Sequence, residues 1–464
     1  MTLLRTAALA GVTIAAGLAA GPALAQTLEE ALVSAYQSNP TIGAQRAQAR
    51  QVDEQVAQAI SGWRPTVELF GEISAETRNF NSIGTQDSVP RAIGARIVQP
   101  VFRGGQTIAG VRAAENAVRA ERARLLAVEQ SVLLSAVVAY INVLAADAVL
   151  DFEVQNEQRL ARFFEATRDR FEVGEVTRTD VFQAEARLAR ATADRVQREG
   201  DVEVARAEYR RVIGSSPQSL TLPPVPKELP AAVDAAVALA SDNNPQILAA
   251  EYTEKANRDR VDQARGALLP ELNLVGEAAK RYEISGLETD SDDARATLNL
   301  TVPLYQSGAE YSRLREAKQA TAEARQVVDD ARRQAIRSAT QAWNELAASR
   351  ARVKAFTTEV KANEVAVEGV EREQAVGTRT VLDVLDTQQD LIDSQRNLVI
   401  AKRDEIRFAY QVREATGTLT AEQLRLPVQY YDPSRHYDEV RGKWFGGSSS
   451  GDMNDRPPAA AGTK

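Results

Sequence analysis

The chain repeats itself, and that constrains its fold more than any other feature. The segment around Asn39-Pro40 returns around Asn244-Pro245 at an offset of 205, and Pro65 and Gly71-Glu72 return at the same offset as Pro270 and Gly276-Glu277. After a two-residue loop difference the offset becomes 203. It then carries IVQPVFRGG (97–105) onto LTVPLYQSG (300–308), Tyr140 onto Trp343, Gly174 onto Gly377 and Asp180 onto Asp383. Two copies of one unit must be able to stand side by side, so an architecture for either half has to pack against its own duplicate.

Proline spacing divides each unit. No proline falls between Pro100 and Pro217 or between Pro303 and Pro427, and a glycine turn lies inside each gap, at Gly174 and Gly377. Each gap reads as a helical hairpin. An unbroken helix from Gly105 to Gly174, or from Gly308 to Gly377, would be about 100 Å long. Apolar residues recur at sevens, as Val111, Val118, Leu125, Val132 and Ala139, and again as Leu385, Ile392, Val399 and Ile406. That is a coiled-coil period. With 44% hydrophobic but only 5% aromatic residues, the helices are expected to pack through small side chains. The returning arms (about 175–214 and 378–417) are shorter, and a short helix elsewhere in each unit (about 41–62 and 246–267) would make up the length if stacked end to end. The proline-bearing segments 214–230 and 419–433 would hold those joins.

Four other stretches alternate apolar and polar residues and read as amphipathic strands, at about 66–78, 91–102, 271–284 and 294–305. Leu272 and Leu274, and then Leu298, Leu300, Val302 and Leu304, carry the pattern in the second unit. The polar runs 79–88 and 285–293 between them read as loops. Hairpins of a water-soluble domain with one wet face would show the same alternation. Their length also suits tilted crossings of a bilayer, where only a closed barrel satisfies the backbone. Four strands cannot close, and eight, the smallest such barrels, are filled by their own side chains. Three copies supply twelve strands and leave a lumen. The expected fold is therefore an α+β membrane protein, a trimeric 12-stranded β-barrel continued by a long α-helical coiled-coil barrel.

Residues 1–25 carry one basic residue (Arg5), an apolar stretch and Ala23-Leu24-Ala25, the pattern of a cleaved secretory signal peptide. The remainder divides into repeat 1 (26–214), a linker (215–230), repeat 2 (231–418), a C-terminal segment (419–440) and a tail (441–464) whose composition reads as disordered. The only histidine, His436, sits just before that tail. Loss of Arg5 with the leader leaves 55 basic against 64 acidic residues, a formal charge of −9, which disfavours nucleic acid. Without cysteine there is neither thiol chemistry nor a lipidated N-terminal cysteine. Beyond the leader, no run of about eighteen apolar residues is expected, so a helical membrane span is excluded. ETDSDD (288–293) is acidic, but it lacks the spaced ligands of a calcium loop and reads as a solvated surface. No metal site, cofactor motif or nucleophile–base pair suggests an enzyme.

In this order and at these offsets, the Asn-Pro helix starts, the strand ends QPVFRGG and VPLYQSG, and the tips VGEVTRTDV and VGTRTVLDVLD resemble the TolC-like outer-membrane efflux proteins. The resemblance covers about Leu28 to Pro433. It implies a homotrimer in the outer-membrane lipid of a Gram-negative bacterium, continued by a periplasmic tunnel that narrows at its far end. Such a protein would be the passive exit duct of a tripartite efflux pump or type I secretion system, working with a periplasmic adaptor and an inner-membrane transporter. A periplasmic adaptor or structural coiled coil is the alternative, since either would also combine a leader with long helical hairpins.

At the tunnel's far end Asp383 and Asp386, one helical turn apart, would set six carboxylates around the mouth of a trimer and attract cations. A solvated helix face would look the same. By resemblance, Arg379 corresponds to an arginine whose bonds to the neighbouring hairpin, near Thr179 and Asp180, hold the entrance shut; where the founding member has a tyrosine, this chain has Gln374. The turns, with Val173 and Gly174 in one and Val376, Gly377 and Thr378 in the other, are candidates for adaptor contact. Simple closure of the hairpin would equally call for their glycines.

Overall fold

The computed structural model describes residues 26–80, 84–283 and 290–448. The expected leader, parts of the two strand-connecting loops and residues 449–464 lie outside the described residues. The first unit comprises α1 (Leu28–Ser38), α2 (Pro40–Ile60), β1 (Thr66–Ile73), β2 (Glu76–Phe80), β3 (Gly84–Ser88), β4 (Arg91–Arg103), α3 (Gln106–Glu172) and α4 (Arg178–Ile213). The second comprises α5 (Val233–Asn243), α6 (Pro245–Gly266), β5 (Glu271–Tyr282), β6 (Ser291–Thr301), α7 (Ala309–Ala375) and α8 (Val381–Ala415), and α9 (Ser434–Arg441) follows it.

The long arms α3 and α7 both have 67 residues, about 100 Å at the helical rise. Val111, Val118, Leu125, Val132 and Ala139 are all buried on α3, as are Leu385, Ile392 and Ile406 on α8. The apolar seam therefore faces neighbouring helices, as a heptad period requires. One expectation from the sequence is corrected here, because α3 does contain an 18-residue window apolar enough to cross a bilayer. Its Leu133, Val137 and Tyr140 are instead packed against α1 and the C-terminal segment, in a core shared with Tyr36, Ile213 and Leu419. That core lies about halfway along α3. There Tyr140 donates its hydroxyl to the Gln26 carbonyl (2.8 Å), and its repeat counterpart Trp343 donates Nε1 to the Pro230 carbonyl (3.2 Å).

Asn-Pro explains the helix joins. Proline suits the first helical position because that N–H has no intrahelical partner, and the asparagine before it caps the helix. Asn39 Oδ1 accepts from the Thr41 amide (2.9 Å) while its Nδ2 donates to the Val212 carbonyl near the end of α4 (2.9 Å). Asn244 does the same for α6 and the end of α8, through the Gln246 amide (2.9 Å) and the Ala415 carbonyl (3.2 Å). Two broken helices thus run on as one, with their dipoles head to tail. The pieces have 36 and 21 residues in the first unit and 35 and 22 in the second, so the two stacks match in length.

The strands form one antiparallel sheet in the order β1-β4-β5-β6, with β1 and β6 at its edges. Its register sorts the side chains by face. Val67, Leu69 and Ile73 on β1 share a face with Ile93 and Ile97 on β4, Leu272 and Leu274 on β5, and Leu298 and Leu300 on β6. Leu69 is 85% exposed on it. On the other face Glu68, Arg96, Glu277 and Arg295 lie directly opposite one another in one row across all four strands. Their charges alternate, and Arg96 pairs with Glu68 (3.7 Å) and Glu277 (3.1 Å), while Arg295 reaches Glu277 (3.2 Å). The first face is apolar over most of its length, with Arg91, Lys280 and Asp292 confined to the end away from the long helices, and the other is ionic, the pattern suited to a barrel wall between lipid and a wet lumen.

Several strand and tail boundaries differ from the sequence reading. The strand expected over 66–78 stops at Ile73, and residues 84–88, read as loop, form β3 against β2 in a separate hairpin. The break falls where the Ser74 amide donates to the Pro90 carbonyl (3.0 Å), since Pro90 has no N–H to return. Val302 and Leu304 lie past the end of β6, which stops before Pro303 for the same reason. Of the acidic run, Asp292 and Asp293 belong to β6 and face Lys280 (3.9 Å) and Arg281 (2.5 Å) across the sheet. The tail expected to be disordered from 441 instead begins as the last residue of α9, and contacts continue to Trp444.

Candidate functional site

The hairpin ends hold every residue singled out from the sequence. Gly174 (φ +80°) and Gly377 (φ +82°) adopt the left-handed conformation that ends α3 and α7. A Cβ at either position would meet nothing within 4 Å, so backbone angle rather than crowding calls for glycine. The amides of Glu175 and Thr378 return to the carbonyls of Arg170 (2.8 Å) and Glu373 (3.0 Å), and the Thr378 hydroxyl also donates to Glu373 (2.8 Å). Val173 and Val376 project from the turns at 72% and 76% exposure.

Each returning helix opens with a capping box. The Asp180 carboxylate accepts from the Thr177 amide and hydroxyl (both 2.8 Å), and the Thr177 hydroxyl accepts from the Asp180 amide (3.3 Å). Asp383 and Thr380 repeat that arrangement at 3.0, 2.9 and 3.2 Å. These bonds to Thr380, backbone first, hold the Asp383 carboxyl below its ordinary range. The recurrence of Asp180 as Asp383 therefore has a local reason: each aspartate satisfies the first amides of its helix. The T-x-x-D spacing was visible in the sequence and is the signal that would have revealed it.

Asp386 has a different partner. The Arg187 guanidinium on α4 lies 2.5 Å from its carboxylate and ties the two hairpins together. Beneath that pair, Leu160, Ala191, Val381 and Leu385 form a buried cluster. Arg187 was missed from sequence because 199 residues separate the partners. Arg379 is exposed and pairs with Glu373 across its own turn (2.9 Å); that bond raises its already high pKa, with a smaller contribution from Asp383. Thr179 is exposed in the first turn of α4. Among the described residues the single chain thus joins Asp386 to the first hairpin but directs Arg379 to Glu373, not to Thr179 or Asp180.

The chain as a whole is similar to known proteins. The outer membrane efflux protein family matches residues 31–215 and 236–418. The chain is similar to the outer membrane efflux protein BepC of Brucella suis, with 37% identity over 96% of each chain. It is also similar to the outer membrane protein TolC of Vibrio cholerae, with 27% identity over 89% of this chain and 95% of that one. In fold it is similar to the CmeC outer membrane channel of Campylobacter jejuni, with a TM-score of 0.78, 17% identity and 89% of each chain covered. The chain belongs to the outer membrane efflux protein family.

Proposed function

We propose that three copies of this chain form the exit duct of a tripartite efflux pump or type I secretion system, a passive channel gated at its periplasmic end. One observation carries the reading: a four-stranded sheet with an apolar face, an ionic face and two unpaired edges is built onto two hairpins about 100 Å long. Unpaired edges cannot stand in hydrocarbon. Joining β6 of one copy to β1 of the next closes twelve strands, with the apolar face toward lipid and the row from Glu68 to Arg295 toward water.

In the assembled duct, Asp383 and Asp386 would supply a ring of carboxylates at the periplasmic mouth and favour cations. Arg379 would lock the entrance by leaving Glu373 for Thr179 and Asp180 of an adjoining hairpin. The exposed turns, with Val173 and Gly174 in one and Val376, Gly377 and Thr378 in the other, would meet a periplasmic adaptor that couples the duct to an inner-membrane transporter. Support for the tip contact is the pair of apolar side chains held outward on hydrogen-bonded turns. Planar-bilayer recording tests the function. Cation-preferring conductance is expected, and bilayers that stay electrically silent with a correctly folded protein would reject it.

A further inference from the structure

The segment after α8 climbs toward the foot of the sheet. Its contacts with α3 move from Arg122, which donates to the Pro433 carbonyl (3.2 Å), to Glu115, which pairs with Arg441 (3.0 Å). Those with α2 and its extension move from Asp53, beside His436 (3.2 Å), to Arg64, which donates to the Lys443 carbonyl (2.6 Å). Asp53 and His436 are buried and Tyr437 packs over Val52, Val56 and Val118, so α9 is a strap fastened along its length. The strap delivers Trp444 and Phe445 to the level where β1 begins.

At that level the arrangement is specific. The Arg64 guanidinium lies over the Trp444 ring at 4.9 Å. Trp63 stands beside them in the turn before β1, and its carbonyl accepts from Gln99 Nε2 (2.9 Å). Gln99 follows Ile97 by two positions on β4 and so shares the face that carries Ile93 and Leu69. Trp63, Arg64, Gln99 and Trp444 thus line one recess at the base of the sheet, beside its apolar face. Trp444 is 58% exposed and Phe445 87% exposed, although the strap has fixed the backbone that bears them.

We propose that Trp444 and Phe445, with Trp63, form an interfacial foot that inserts into the phospholipid headgroup layer on the periplasmic side of the outer membrane. Indole and phenyl rings settle where an apolar ring meets polar headgroups. Arg64 and Lys443 flank Trp444 with positive charge suited to lipid phosphates, while Arg441 beside them is paired with Glu115 and Asp438 adds one negative charge to the patch. Continuity with the apolar face of the sheet selects lipid over soluble protein as the occupant. In a chain with no cysteine to carry a lipid, such a foot would fix the height of the barrel and tie the C-terminal strap to the membrane. The inference rests on the barrel reading above.

The test uses the full-length protein reconstituted in phosphatidylethanolamine–phosphatidylglycerol vesicles, with Trp63→Phe and Trp343→Phe so that Trp444 is the only indole. Phospholipids brominated high on the acyl chain should quench Trp444 emission strongly, and those brominated near the chain end weakly. Aqueous iodide should quench it at least about threefold less than it quenches a free indole, as expected for a headgroup-level ring. Vesicles that conduct while iodide reaches Trp444 freely and bromolipid has no effect would overturn the foot and leave the barrel intact. Shielding from both quenchers would overturn it too, and would point to burial against a neighbouring protomer. Absence of both conduction and bromolipid quenching would reject the barrel as well. A Trp444→Ala/Phe445→Ala variant should still conduct, but trypsin should cut it after Lys443 several-fold faster in vesicles, because the strap loses its lipid contact.

Discussion

The side chain of Asn39 donates to the Val212 carbonyl at 2.9 Å, across 173 residues of sequence, while its oxygen caps the helix that begins at Pro40. One buried amide joins the end of α4 to the start of α2, and Asn244 does the same for α8 and α6. Replacing Asn39 or Asn244 with alanine removes both functions and should cost about 1–2 kcal/mol each. Aspartate caps a helix as well as asparagine does but cannot donate, and it sets a negative charge at the carbonyl end of α4. Asn39→Asp should therefore fail to restore stability in detergent melts. A silent Asn39→Asp variant would show that the donated bond contributes nothing.

Glu414 supplies a pH dependence. Burial raises its carboxyl from 4.5 to about 7, and its position in the first unit is occupied by Arg211, which pairs with Glu208 (2.6 Å). A carboxyl raised in the folded state binds a proton that the unfolded chain has released, so stability falls as pH rises between those values. Glu414→Gln should raise the melting temperature at about pH 8 and leave it unchanged near pH 4, where both states are protonated. An equal gain at both pH values would assign the effect to packing rather than charge.

Charge at the periplasmic mouth is tested by conductance. Replacing Asp383 and Asp386 together with alanine should reduce both cation preference and block by multivalent cations. Thr380→Val, which breaks the capping box but keeps the carboxylate, should leave the preference largely intact. Because its bonds to Thr380 hold the Asp383 carboxyl below its ordinary range, the contribution of Asp383 to the preference should persist to lower pH in the parent than in Thr380→Val. An unchanged preference in the double variant would remove the proposed role.

Two arginines make separable predictions about the gate. Arg187→Ala releases Asp386 from its 2.5 Å partner and uncouples the hairpins, so conductance should rise and cation preference should strengthen. Arg379→Ser removes the residue proposed as the lock and should raise conductance without strengthening the preference. Closed-state conductance that is unaffected by Arg379→Ser would argue against a lock at that position.

What could be read from the sequence was whatever repeats or alternates. Val111 to Ala139 at sevens marked the buried seam of α3, and Asn39-Pro40 with Asn244-Pro245 marked two helix starts, because periodic burial and capping each require particular residue types. The joins themselves were expected at 214–230 and 419–433, and the bonds of Asn39 and Asn244 to the ends of α4 and α8 were not foreseen. The hairpin of β2 and β3 was missed because Glu76–Phe80 and Gly84–Ser88, Phe80 apart, carry polar residues or glycine on both faces; strands beyond the apolar band need no alternation. The eight residues of α9 are too few to show a helical period, and the packing of Tyr437 and His436 stabilises them instead. At the tips, Asp383 and Asp386 could be located but not their partners. Thr380 was present as an unread T-x-x-D signature, whereas Arg187 meets Asp386 only through the tertiary fold.

The central claim is that an open sheet of four strands is completed by other copies of the same chain. Native mass spectrometry of the detergent-extracted protein tests it most directly. The account predicts one species of three chains that yields conducting pores, whereas a folded, stable species of one chain would contradict it.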